Sequence, residues 1–175
     1  MSLTDIQIFD LAKKMNINLQ FCDFKDMLIS EKLQYNAAYI INMENSHNDD
    51  GSEADGSHWV SLYLKKYPNG KVAPVYFDSF GSPPPTEVET FVGMKVPYNT
   101  KDIQSIVENF CGFAALAFLY YISVYEERTK DVYVDCEDFT NLFFDLAISS
   151  DFKHNENVLK QFFQKKYEDK ISDKD

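Results

Sequence analysis

Four residues fall along the chain in an order that suits attack on a carbonyl group. His58 lies in "GSHWVSLYL", Asp78 in "VYFDSFG", and Gln104 and Cys111 in "QSIVENFCGF". A thiol attacks a carbonyl well only as thiolate, and a cysteine in the first turn of a helix has that anion stabilised by unpaired backbone N–H groups. An imidazole beside it completes the activation: His58 can take the thiol proton and return it to a leaving amine, while Asp78 fixes the tautomer and orientation of the ring. The oxyanion needs two donors, and the Cys111 backbone N–H with the Gln104 side-chain amide are the candidates. Gly112 leaves space for a substrate backbone to approach. Each residue alone also has a structural reading. A histidine on an alternating strand is often structural, a cysteine in an apolar helix is often inert packing, "DSFG" can be an ordinary turn, and Gln104 alone says little. Their joint order and spacing favour chemistry.

The elements around them must bring the four together. From His58 the pattern has a period of two, with His58, Val60, Leu62 and Leu64 on one face and Trp59, Ser61 and Tyr63 on the other. "KKYPNGK" turns the chain and "VAPVYFD" returns it, with Pro74 implying an edge position or a bulge. About a turn centred near Pro68, His58 and Asp78 are each ten residues from the centre. They are expected to face each other with Cβ atoms about 5 Å apart, subject to any bulge at Pro74. Asn109 is placed to cap a helix whose first turn holds Cys111, and "CGFAALAFLYYISVY" is apolar on nearly every side, as in a helix buried mid-fold.

Upstream, Thr4 and Gln7 form a capping-box pattern before a helix over about 5–15, a short helix is expected in "FKDMLISEKL", and "AAYIINM" reads as a strand. Residues 45–57, "NSHNDDGSEADGS", read as a polar mobile loop that delivers the chain to His58. "GSPPPTEVE" reads as a stiff loop, "GMKVPYN" as a short strand, and 136–148 and 155–167 as amphipathic helices before a frayed tail from about 168. The expectation is one domain over 1–175.

Lys plus Arg number 17 against 28 Asp plus Glu, a net charge of −11 that argues against strong nucleic-acid binding. Three cysteines without close spacing suit a reducing interior and, with the three histidines, lack the paired spacing of a zinc site. No metal or other cofactor is expected. "MSLTDIQIFD" lacks the basic start and apolar run of a secretory signal, and no apolar stretch reaches the roughly 18 residues of a membrane span.

"GSHWVSLYL", then "VYFDSFGSPPP", then Gln104 seven residues before "CGF" resembles the adenovirus maturation protease family, more closely its relatives in virophages and polinton-type viruses. The order His, Asp, Gln, Cys is shared with the SUMO-specific proteases of the same clan. The resemblance covers roughly 6–122. It implies an α+β, papain-like fold with a central mixed or antiparallel sheet, a buried helix carrying the nucleophile, and flanking helices. Carried over, Cys111 is the nucleophile, His58 the general base and acid, Asp78 the orienting residue and Gln104 the oxyanion donor, with Trp59 walling a narrow substrate channel. Such enzymes cleave viral capsid or core precursors after small residues such as Gly, in the virion and the infected cell. The alternatives are an isopeptidase acting on ubiquitin-like modifiers and a non-enzymatic interaction module on the same fold. Asp78 stands where the adenovirus enzyme has the longer Glu. That enzyme is activated by a disulfide-linked peptide and by DNA. Neither Cys22 nor Cys136 matches the linking cysteine, and the net charge fits poorly with DNA, so an activating peptide stays open.

Overall fold

The computed structural model describes residues 2–104 and 109–172, with side chains described as far as Phe163. The chain runs α1 (Asp5–Lys14), β1 (Leu19–Phe24), a 3-10 helix (Lys25–Ser30), β2 (Ala37–Asn42), β3 (Trp59–Lys66), β4 (Val72–Phe77), α2 (Thr86–Val92), α3 (Cys111–Ser123), α4 (Val132–Thr140) and α5 (Phe152–Ser172). The sheet has the order β1-β2-β3-β4, with β1 and β2 parallel and the other pairs antiparallel. It is a mixed sheet in an α+β fold, as expected.

Alternation along the strands sorts the core into two layers. Ala38 and Ile40 of β2, Tyr63 of β3 and Val75 and Phe77 of β4 pack with α1, α3, α4 and α5. Tyr39, Ile41, Val60, Leu62 and Leu64 pack on the other face with Leu28 and Val88. α3 is the centre of the first layer, and nine of its residues from Cys111 to Ile122 are buried. An all-apolar helix has no face to offer water, so it is enclosed between the sheet and the other helices. Among the described residues no helix is long and apolar enough to cross a membrane.

Several local expectations hold for the expected reason. Thr4 and Gln7 form the reciprocal capping box, and Pro74 lies on β4, the edge strand. Others need correction. The β3–β4 ladder pairs Leu64 with Pro74 and Ser61 with Phe77, without a register shift, so the turn is centred at Asn69 rather than Pro68. Continuing that register, Asp78 lies opposite Val60, and His58 is a diagonal neighbour two residues beyond. The segment 45–57 folds back as a small hairpin. His47 bridges Glu53, Ala54 N–H donates to Ser46 O at 3.0 Å, and the Ser46 hydroxyl donates to Asp26 at 2.6 Å. "GSPPPTEVE" runs into helix α2, with Pro85 at the N-cap and acidic side chains in the first turn. The expected strand over 93–99 shrinks to one bridge between Tyr76 and Tyr98. Helix 136–148 is displaced to α4, capped by Asp131, whose side chain accepts from Tyr133 N–H. α5 continues beyond 167 to Ser172; the end of the tail lies outside the described residues.

Candidate active site

The three residues of the proposed triad meet at one end of the sheet. His58 Nε2 hydrogen-bonds Asp78 Oδ1 at 2.7 Å, and the imidazole also lies near enough to the Cys111 sulfur for each to shift the other's ionisation. The two-residue displacement of the ladder leaves the pairing intact because it preserves parity. Residues i and j±2 share a sheet face about 7–8 Å apart, within reach of an imidazole and a carboxylate. With Nε2 held by Asp78, Nδ1 is the ring nitrogen left to exchange a proton with sulfur.

Asp78 is held by the turn it begins. Gly81 N–H donates to Asp78 O at 2.9 Å, and Phe80 N–H donates to Asp78 Oδ1 at 2.8 Å, so the carboxylate closes its own Asx-turn. Gly81 has φ +77, and a Cβ there would stand 2.5 Å from the Thr100 carbonyl oxygen. Only glycine fits without moving that backbone. Asn99 clamps the strand end, accepting from Asp78 N–H at 3.0 Å and donating to Asp78 O at 2.8 Å. The Phe80 ring lies against the imidazole with centroids 4.6 Å apart. "DSFG" is thus a turn and the carrier of the carboxylate at once.

Cys111 is the first residue of α3, but Asn109 is not its N-cap: Phe110 is, and it makes no side-chain capping hydrogen bond. Helix-start donors are therefore left for the sulfur, which accepts from Gly112 N–H and from Trp59 N–H. Burial works against a thiolate at Cys111, yet these bonds and the His58 charge hold its pKa below the ordinary thiol value. Burial likewise opposes the imidazolium, but Asp78 and Cys111 together push the His58 pKa up to about 9. Each group therefore favours the charged form of the other, thiolate beside imidazolium. The other cysteines differ, since burial raises Cys22 strongly and pushes Cys136 up to about 12.

Gln104 is buried beside the Asp78 turn, where the Ser79 hydroxyl donates to its Oε1 and so directs the Nε2 end away from Ser79. Its segment is anchored by the C-terminal third of the chain: Asn155 Nδ2 donates to Ile103 O at 3.1 Å, and Lys101 Nζ donates to Thr140 O at 2.9 Å. Trp59 contributes its backbone N–H to the sulfur and its indole N–H to Leu3 O at 3.0 Å. Gly112 is placed otherwise than expected. It is buried, and a Cβ there would meet Leu3 Cδ1 at 3.1 Å, so the glycine admits the Leu3 side chain instead of opening a path for a substrate. Leu3, Phe80, Gly81 and Asn99 are supporting residues that sequence reasoning missed. Of these only Gly81, directly after "DSF" in a turn pattern, carried a local signal.

No family model matches the chain, and no curated protein matches it. Among solved structures it is similar to the ASFV pS273R protease, at 17% identity and a TM-score of 0.45 over 82% of this chain and 67% of that one. A selenomethionine form of that protease aligns at 18% identity and a TM-score of 0.38, over 82% and 68% of the two chains. HopZ1a, in a complex with IP6, aligns at 10% identity and a TM-score of 0.45 over 79% of this chain. The present chain spans 47% of the HopZ1a chain, about half its length.

Proposed function

We propose that the protein is a cysteine endopeptidase in which Cys111 is the nucleophile, His58 the proton carrier and Asp78 its orienting carboxylate. The observation that carries this reading is the sulfur at the start of α3, coupled to an imidazole that Asp78 holds at 2.7 Å. The thiolate attacks the peptide carbonyl, and the oxyanion is received by the Cys111 backbone N–H and the Gln104 amide. The imidazolium gives its proton to the departing amine, leaving a thioester. His58 then takes a proton from water, whose oxygen attacks the thioester carbon. Collapse releases the carboxylic acid and returns the thiol proton.

The resemblance of the "GSHWV", "FDSFG" and "FCGF" segments to the adenovirus-type proteases supports a finer reading: cleavage of viral capsid or core precursors during maturation, after small residues such as Gly. The test is cleavage of such precursors by the purified protein. Cys111→Ala and His58→Ala are each expected to abolish cleavage while leaving the fold intact. Undiminished cleavage by Cys111→Ala ends the proposal, and release of ubiquitin-like modifiers in preference to precursor cleavage would move the substrate class to isopeptides.

A further inference from the structure

A cleft of about 320 Å³ lies between the N-terminal segment, the ends of β1 and β2, and the base of the 45–57 hairpin, and Ser57 and Trp59, which flank His58 in the chain, are among its walls. Trp59 belongs to both sites, with its backbone N–H on the sulfur and its side chain lining the cleft. Leu3 also joins them, because it lines the cleft and packs against Gly112. The charge on its walls is one-sided. Asp5, Asp23 and Asp55 line it, no Lys or Arg does, and none of the three forms an ion pair among the described residues.

A second, uncharged feature marks the same cleft. Asn42 lines it and is 2% exposed. Its Oδ1 accepts from Ser57 N–H at 3.2 Å and Glu44 N–H at 3.1 Å, whereas its Nδ2 donates to nothing among the described residues. The fully buried side-chain atom without a partner among the described residues is Ser61 Oγ, so Nδ2 keeps some access, and the space it reaches is the cleft it lines. Gly56, at φ +85, lies over this amide, and any Cβ there would come within 2.8 Å of Nδ2. The glycine therefore keeps a side chain off the donor.

We propose that this cleft receives the substrate chain next to the scissile bond and selects a lysine or arginine side chain there, with the Asn42 amide donating to a substrate backbone carbonyl. The inference rests on the reading that Cys111 attacks peptide bonds and names the substrate class for it. The aspartates supply the charge complement, and Trp59 and Leu3 supply apolar wall for the methylene stem of a basic side chain. Because single residues bridge sulfur and cleft, the basic residue falls within about two or three positions of the cleaved bond, at roughly 3.3–3.6 Å per extended residue.

Two measurements separate the fate of this inference from that of the peptidase reading. The first compares the rates at which Cys111 is modified by a trimethylammonium-bearing and a sulfonate-bearing methanethiosulfonate, read by mass at the Cys111 peptide. The three carboxylates on the walls of the cleft should favour the cation roughly fivefold at physiological ionic strength, relative to a model thiol. Asp5→Asn, Asp23→Asn and Asp55→Asn combined should remove that preference, whereas neutralising the exposed, distant Glu126, Glu127 and Asp138 should leave most of it. No cation preference, or one the triple variant keeps, overturns the inference whether or not the protein cleaves peptides. The second is a positional peptide library: enrichment of Lys or Arg at one position near the cut, lost in the triple variant, is expected, and cleavage indifferent to charge there overturns the inference while leaving the peptidase standing. A cation preference without any cleavage would fault the peptidase reading, and with it the assignment of the cation to a substrate.

Discussion

Replacing Asp78 by Asn tests the ion pair at its source. The carboxylate Oδ1 accepts from both His58 Nε2 and Phe80 N–H, and an Asn Oδ1 can occupy the same place, so the turn and ring orientation are retained while the charge is lost. The rise of the His58 pKa from 6.5 to about 9 corresponds to about 3 kcal/mol in favour of the imidazolium. Burial opposes that rise, and Asp78 and Cys111 share the favourable part, each through a hydrogen bond and through charge. Removing the Asp78 charge while keeping a neutral hydrogen bond should therefore cost between about 1 and 2 kcal/mol, roughly a 5- to 30-fold loss of imidazolium–thiolate pair. The assay is the rate of Cys111 alkylation by iodoacetamide against pH. In the native protein the rate should rise at a pH below the ordinary thiol value, and in Asp78→Asn that inflection should move upward by about one pH unit. Stability follows the same sign. A histidine whose folded pKa is raised contributes stability that is fully present below 6.5 and lost as pH climbs through about 9. The melting-temperature gap between native and variant should be largest between the carboxylate range and pH 6.5, and should close above 9. Coincident alkylation inflections in the two proteins would refute the claim that the Asp78 charge holds the imidazolium.

Three further outcomes are expected. Gly81→Ala forces a Cβ to within 2.5 Å of the Thr100 carbonyl at φ +77, so it should lose roughly 2–3 kcal/mol, about 5–10 °C in melting temperature, with reduced activity through displacement of Asp78. Near neutral pH, brief iodoacetamide treatment followed by peptide mass mapping should label Cys111 well before Cys22 or Cys136, whose thiols burial keeps protonated. Ser61 is fully buried and its hydroxyl has no partner among the described residues, so Ser61→Ala should be neutral or stabilising by up to about 1 kcal/mol in a denaturant titration.

The fold was legible in the sequence wherever a short-range rule decides the outcome. The Thr4–Gln7 capping box, the alternation along β3, the edge position of Pro74 and the all-apolar run of α3 each follow from contacts within a few residues, or from a single burial pattern. The errors came where two local rules compete. "GSPPPTEVE" contains prolines that read as loop, yet one of them is the N-cap of α2. In the 45–57 segment, polar composition masks a hairpin whose bonds run from backbone to backbone and to Asp26 across the chain. The turn after β3 was misplaced by one position because Pro, Asn and Gly each suit a turn, and only the long-range ladder chooses among them.

That one-position error moves the pairing register by two, and it also explains why the juxtaposition of His58 and Asp78 could be read from the sequence while its supports could not. A two-residue slip returns every side chain to its own face, so His58 and Asp78 stay on one side of the hairpin under either register and meet diagonally instead of squarely. A one-residue slip would have put the carboxylate on the opposite face and broken the inference. The supporting residues have no such protection. Asn99, Asn155 and Leu3 act through hydrogen bonds or packing to partners 21, 52 and 56 residues away in the chain, and no periodicity identifies which asparagine or leucine will serve. Their effect is nonetheless concentrated at the three side chains whose order was visible. Asn99 fixes the strand end that bears Asp78, Asn155 fixes the segment that bears Gln104, and Leu3 holds Trp59 and packs on Gly112 beside the sulfur. The reactive groups stand at the ends of regular elements, where pattern locates them. What keeps them in register lies in contacts that only the folded chain defines.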